Sequence, residues 1–316
     1  MIDFDNMYCA GAAAPDVVPD ILIVGASIID VLVRPASPSV FETGSYPADD
    51  IAMQTGGDAL NEALVLAKLG RRVRLDTILG DDDGGRFIAA RCQKAGVILP
   101  EDVFHSEFKT GVNVVLVRED GSRHFLTGRN GSLRKLRAGH LHPFDSRIGI
   151  MCFASIFVFP EFGDTELAGL FAGAKARGIT VCADMTKCKH GETLDDMRRS
   201  MPLIDYLIPN DEEAMLLTRK SSVEDAAAAF LASGVKNVVI KCGARGCYIA
   251  QAGASYYMPP VPGVSCIDTT GAGDSFAAGF LYALSAGCGI GECADFANRC
   301  GARAVASIGA TSWLDA

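Results

Sequence analysis

The chain has 316 residues, 49% hydrophobic and 21% charged, with a formal net charge of −9. That length and balance describe a globular protein with a large core, and the acidity argues against a nucleic-acid partner, whose grip depends on Lys and Arg neutralising phosphates. The longest apolar run, 148–159, is shorter than the roughly 20 residues needed to cross a bilayer, so no membrane partner is expected.

Residues 1–19 are rich in Ala, Asp and Pro, lack the basic start of a signal peptide, and read as a loose extension. Ile21-Leu22-Ile23-Val24, closed by Gly25, has the unbroken apolar character of a strand buried on both faces. Residues 34–50 carry Pro35, Pro38, Gly44 and Pro47, which excludes a regular helix. Gly56-Gly57 precede a helix predicted at 58–69, where Leu60, Ala63, Leu64 and Ala67 share a face and Gly70 supplies the C-cap. A strand at 73–79 and a helix at 85–95 follow. The apolar runs 112–117 and 122–126 flank Glu119-Asp120-Gly121, a hairpin signal. With a strand near 51–55, this ribbon forms a small separate sheet.

Beyond residue 150, strands are predicted at 151–158, 179–183, 204–208 and 237–241, and helices at 164–177, 192–200, 211–218 and 223–233. A hairpin near 246–258 and helices at 274–286 and 291–306 complete the chain. This alternation implies an α/β fold: a mainly parallel central sheet with helices on both faces, plus the small β-sheet. Ligands of such folds bind beyond the carboxyl ends of the strands. The eleven cysteines include no CxxC pair and read as small buried hydrophobes in a reducing, cytoplasmic setting.

Chemistry concentrates in Asp268-Thr269-Thr270-Gly271-Ala272-Gly273-Asp274, just before a helix. Gly271 and Gly273 allow a tight turn whose N–H groups converge at a positive helix end, a cradle for a phosphoryl group in flight. Asp274 stands beside it as a base for an attacking hydroxyl. Gly57 permits close approach of a ligand to the backbone, and Asn61 can both donate to and accept from sugar hydroxyls. No GxxxxGK[ST] and no HExxH occur, and Gly287-Cys288-Gly289-Ile290-Gly291 follows a helix where a dinucleotide loop follows a strand.

The early GG-x-x-x-N-x-A and late D-T-x-G-A-G-D motifs resemble the paired signatures of the ribokinase-like (PfkB) carbohydrate kinases, and the resemblance spans residues 20–312. It implies an ATP-dependent sugar kinase in which Asp274 is the base and Gly271, Ala272 and Gly273 form the anion hole. Asp30, Gly57, Asn61, Asn113 and Arg129 are then sugar contacts. Segments 31–55 and 108–130 resemble a lid of the kinase domain 20–316, and an exposed edge of that lid sheet would favour a homodimer.

Asn210 and Glu213 resemble an N-x-x-E motif that places Mg²⁺ through water, although they also fit a helix capping box. Lys241, Gly243, Gly246 and Asn298 resemble the nucleotide side, with Lys241 where Thr is common. Asp268, Thr270, Ser307 and Gly309 resemble a site for a monovalent cation such as K⁺. Asp184-Met185-Thr186-Lys187 departs from an Asp-Pro-Asn pattern, which leaves Lys187 to meet an anionic group. Fructose or ribose leads as substrate. A 2-keto-3-deoxygluconate-type acid, a nucleoside, or a role as a non-catalytic sugar-binding regulator are the alternatives.

Overall fold

The computed structural model describes residues 20–120 and 122–315, so the extension expected over 1–19 lies outside them. In chain order, β1 (Asp20–Val24) and β2 (Ile28–Arg34) lead to α1 (Val40–Thr43), β3 (Asp50–Gly56) and α2 (Asp58–Lys68). Next come β4 (Val73–Asp76), β5 (Leu79–Gly80), α3 (Asp83–Ala95), β6 (Phe104–His105), β7 (Gly111–Val117) and β8 (Arg123–Thr127). The second half runs β9 (Ile148–Ile156), α4 (Asp164–Lys175), β10 (Thr180–Met185), β11 (Tyr206–Leu207), α5 (Asp211–Thr218) and α6 (Val223–Ala232). It closes with β12 (Asn237–Lys241), β13 (Cys247–Gln251), β14 (Ala254–Met258), α7 (Ala272–Ser285) and α8 (Ile290–Ala304).

Eight strands form the main sheet in the order β14-β13-β12-β11-β10-β9-β1-β4. All neighbours are parallel from β12 to β4, and the β12-β13-β14 edge is antiparallel. Alternation along β1 explains the two-sided core. Leu22 and Val24 pack with Phe153, Phe171 of α4, Leu217 of α5 and Phe230 of α6. Ile21 and Ile23 face the other way, onto Leu60 and Leu64 of α2, Ile88 of α3 and Leu281 of α7.

The second sheet has the order β3-β2-β7-β8. One of its two central strands, β2, is absent from the sequence-based reading. The sequence Ile28-Ile29-Asp30-Val31-Leu32-Val33 has no clean alternation, because this strand is only partly buried on both sides. Other departures are local. The strand expected at 73–79 ends at Asp76, and Leu79–Gly80 pairs instead with Phe104–His105. The helix expected at 192–200 is two 3₁₀ turns, Leu194–Met197 and Met201–Leu203, interrupted where Ser200 N and Oγ donate to Asp164 Oδ1 (2.8 and 2.7 Å). The proline-rich 34–50 stretch holds one helical turn, α1, ended by Gly44 at φ +78°. Most cysteines are buried free thiols, as expected, but Cys288 is disulfide-bonded.

Candidate active site

Two glycines bring the catalytic elements together. Gly57 has φ +97°, and a Cβ there would stand 2.5 Å from Ala26 O, so the loop after β1 lies directly on the start of α2. Gly271 is the N-cap of α7 at φ +69°, with Ala310 where a Cβ would be, 2.6 Å away. The first N–H groups of a helix lack intrahelical acceptors, so this tight turn offers them to an anion.

Asp274, in the first turn of α7, faces α2, where Asn61 Nδ2 donates to its Oδ2 at 2.7 Å. Burial pushes the Asp274 carboxyl well above its ordinary range. The Asp58 charge adds to that, while the Asn61 hydrogen bond and Lys241 oppose it.

Two cavities meet at this carboxylate. One, of 340 Å³, is bordered by Asp30, Gly57, Asn61, Asn113, Thr270 and Gly271. The other, of 420 Å³, is bordered by Asp184, Asn210, Glu213, Lys241, Gly243 and Gly273. Asp58 and Asp274 line both. A broader hollow of 610 Å³ beside α6 shares no residue with either and is built only from exposed and half-buried residues, so it lacks the buried polar groups that define the other two.

The 340 Å³ cavity carries three buried acceptor atoms without partners: Asp30 Oδ1, Asn61 Oδ1 and Asn113 Oδ1. Buried polar atoms are nearly always hydrogen-bonded, so three orphans around one cavity mark a ligand rich in donors. Register explains two of them, since Asp30 of β2 and Asn113 of β7 are cross-strand partners on one face of the small sheet. The Asp30 carboxyl is raised to about 6, first by burial, with Asn113 lowering it by a hydrogen bond and Asp58 raising it.

The 420 Å³ cavity is built around a cation. Lys241 Nζ, at the end of β12, bonds Asp184 of β10, and a Cβ on Gly273 would lie 3.5 Å from it. Burial works against the Lys241 charge, but Asp184, Glu213 and Asp274 outweigh it and hold the lysine firmly protonated. Asn210 and Glu213 form a reciprocal capping box: Glu213 N donates to Asn210 Oδ1 (2.8 Å) and Asn210 N to Glu213 Oε2 (2.9 Å). Both expected readings of this pair therefore coexist, because Glu213 caps a helix while bordering the cavity. Its carboxyl is raised to about 7, mainly by burial, against the pull of Lys241. Among the described residues no three His, Cys, Asp or Glu side chains are grouped to hold a metal unaided. The oxygens of Asp184, Asn210 and Glu213 on this cavity are hard donors of the kind Mg²⁺ takes alongside water and phosphate oxygens.

Some expected residues stand elsewhere. Arg129 is exposed in the turn after β8 and borders neither cavity; Arg134 and Lys189 border the smaller one instead. Lys187 pairs with Glu212 at 2.6 Å. Gly246, at φ +84°, closes the turn into β13, and Asn298 Nδ2 donates to Pro259 O at 3.1 Å, tying α8 to the chain after β14. Asp268 accepts four hydrogen bonds. Its Oδ1 accepts from Thr270 N (2.8 Å), Thr270 Oγ1 (2.7 Å) and Arg123 Nη2, and its Oδ2 accepts from Gly309 N (2.8 Å). Ser307 Oγ is buried without a partner.

Sequence reasoning passed over Asp58, whose Oδ2 accepts from Ser155 Oγ, and Glu62, fully buried on α2 with both oxygens unpartnered. A charged residue directly behind Gly56-Gly57, and another one turn on beside Asn61, were the available signals.

This topology, with a helix start and two cavities meeting at Asp274 and Asp58, is that of the ribokinase-like class of small-molecule kinases. The chain belongs to the pfkB family of carbohydrate kinases, whose pattern matches residues 18–316, and is a sugar kinase. It is 29% identical over 276 residues to the aminoimidazole riboside kinase of Salmonella typhimurium, covering 82% of this chain and 84% of that one. It is 26% identical over 324 residues to fructokinase-2 of Oryza sativa subsp. japonica, covering 97% and 93%. Ribokinase of Arabidopsis thaliana, solved with ribose and ATP, superimposes with a TM-score of 0.78 at 25% identity, over 94% of this chain and 96% of that one.

Proposed function

We propose that this enzyme moves the γ-phosphoryl group of ATP to a hydroxyl, most plainly a terminal CH₂OH, of a small sugar, with Asp274 taking the hydroxyl proton. The observation that carries this reading is the trio of unpartnered acceptors, Asp30, Asn61 and Asn113, in a cavity that ends at Asp274. A sugar satisfies all three with its hydroxyl protons, and its remaining hydroxyl then faces the base. ATP occupies the larger cavity, with its terminal phosphate against the turn Gly271, Ala272, Gly273 and the ammonium of Lys241. That lysine replaces a hydroxyl contact with a point charge. Bound Mg²⁺ would supply charge neutralisation for the phosphates, held through water by Glu213 with Asp58 and Asp184 nearby. Positioning and electrostatics do most of the work in such transfers.

The small sheet acts as the lid that excludes water from the sugar. Its outer face exposes Ile51, Met53 and Leu126, and we assign that face to a second copy of the chain. Buried free thiols suit the reducing cytoplasm.

Ribose or fructose is the leading substrate. One observation favours a second reading: Arg134 and Lys189 border the sugar cavity, and either could receive the acid group of a 2-keto-3-deoxygluconate-type sugar. ADP release measured over a panel of ribose, fructose, nucleosides and sugar acids separates these. Turnover of a neutral sugar supports the first reading, and selective turnover of an acid supports the second. If every panel member binds without ADP release, the chain is a sugar-binding regulator.

A further inference from the structure

Asp268 accepts from four donors: Thr270 N, Thr270 Oγ1 and Arg123 Nη2 meet its Oδ1, and Gly309 N meets its Oδ2. Oδ1 is fully engaged by three of these donors. The charge is balanced as well, since the Arg123 guanidinium pairs with it in a setting where the two side chains are only 22% and 4% exposed. Solvent screens such a pair weakly. Gly309 turns its N–H, not its carbonyl, toward the carboxylate, whereas a cation site needs oxygens. The carboxylate expected to face a monovalent cation is thus already paired with a guanidinium.

Arg123 reaches Asp268 from β8 of the small sheet, so the contact also joins two parts of the molecule. A second contact lies alongside it: a Cβ on Gly309 would stand 2.6 Å from Gln54 Oε1, on β3 of the same sheet. Asp268 is two residues ahead of Thr270, which borders the sugar cavity, and three ahead of the N-cap of α7.

We propose that the Arg123 guanidinium takes the place of the monovalent cation, ordering the anion-hole turn from the small sheet and making the enzyme indifferent to K⁺. Arg123 is a positioning residue: it touches neither cavity and acts through Asp268. Because it sits on the lid, order in the turn depends on the lid being seated. An ion bound from solvent imposes no such condition. This inference rests on the kinase reading only for its effect on rate.

The experiment compares wild type, Arg123→Ala and Arg123→Gln in KCl and in choline chloride at equal ionic strength. It reads the thermal midpoint without substrates and the rate of ADP release with them. Wild type should show the same midpoint and rate in both salts. The variants should lose about tenfold or more in rate in choline chloride, as expected for a misplaced catalytic turn. They should then gain a K⁺-specific rise in midpoint and recover rate in KCl, because removing the guanidinium leaves Asp268 open to an ion. A K⁺-specific response of wild type overturns the proposal, as does a foldable variant with neither rate loss nor K⁺ response. If no sugar yields ADP yet the midpoints follow the expected pattern, the kinase reading falls and the ion replacement stands.

Discussion

Asp274, the base of the proposed mechanism, stands in a place that resists its charge. Burial and the neighbouring Asp58 raise its pKa, and the Asn61 amide is the strongest influence that lowers it. A base works when deprotonated, so kcat/KM should climb as pH rises through the Asp274 pKa. Asn61→Ala removes the stabilising hydrogen bond and should carry that acidic limb to higher pH. A pH–rate profile checks this, and a limb that stays put or moves down contradicts it. Asp30 gives a second handle. Its carboxyl, raised to about 6, must be ionised to accept fully from sugar hydroxyls. The sugar KM should therefore rise as pH falls through about 6, and Asp30→Asn should flatten that dependence while raising KM throughout. Both residues were legible in the sequence, Asp274 through its glycine motif and Asn61 through its distance from Gly56-Gly57. Asp30 was found only by family resemblance, because one Asp among Ile and Val gives no local signal.

At the scale of elements, α2 carries a hidden cost. Glu62 is wholly buried and its oxygens have no partner, and burial, with Asp184 and Asp274 adding repulsion, drives its carboxyl well above the ordinary value. The folded state therefore holds the proton more tightly than the unfolded chain does. That contribution to stability is fully present below the ordinary carboxylate pKa and is lost as pH rises toward the folded value. Glu62→Gln should raise the melting temperature at pH 8 relative to wild type and leave the two proteins closer at pH 5. Melting curves that stay parallel across that range contradict the assignment. The helix itself was readable, since its apolar spacing and Gly70 fixed it to within a residue, and α5 was read with its observed bounds from the Asn210 cap. What local pattern could not supply was β2, whose place is set by pairing with β3 and β7, segments distant in sequence. The pairing of Arg123 with Asp268 was hidden for the same reason, because an Arg on an exposed ribbon reads as solvated until the ribbon is folded over the turn.

At the scale of the molecule, the small sheet has two unlike faces. Asp30 and Asn113 look into the sugar cavity, while Ile51, Met53 and Leu126 look outward. Exposed apolar rows on a sheet attract a partner, and the dimer reading assigns them one. Met53→Lys should shift the sedimentation coefficient from dimer to monomer, and a wild type that sediments as a monomer at micromolar concentration contradicts the pairing. The larger architecture was plain from the βα alternation, and the place of the site followed from it, beyond the carboxyl ends of β1, β10 and β12. The account as a whole rests on Asp274, which with Asp58 lines both cavities, acting as the base. Its most direct test is single-turnover ADP formation by Asp274→Asn, alongside calorimetric binding of sugar and ATP. The variant should bind both ligands close to normally and lose about 10²–10⁴ in rate. A rate within tenfold of wild type would contradict the account.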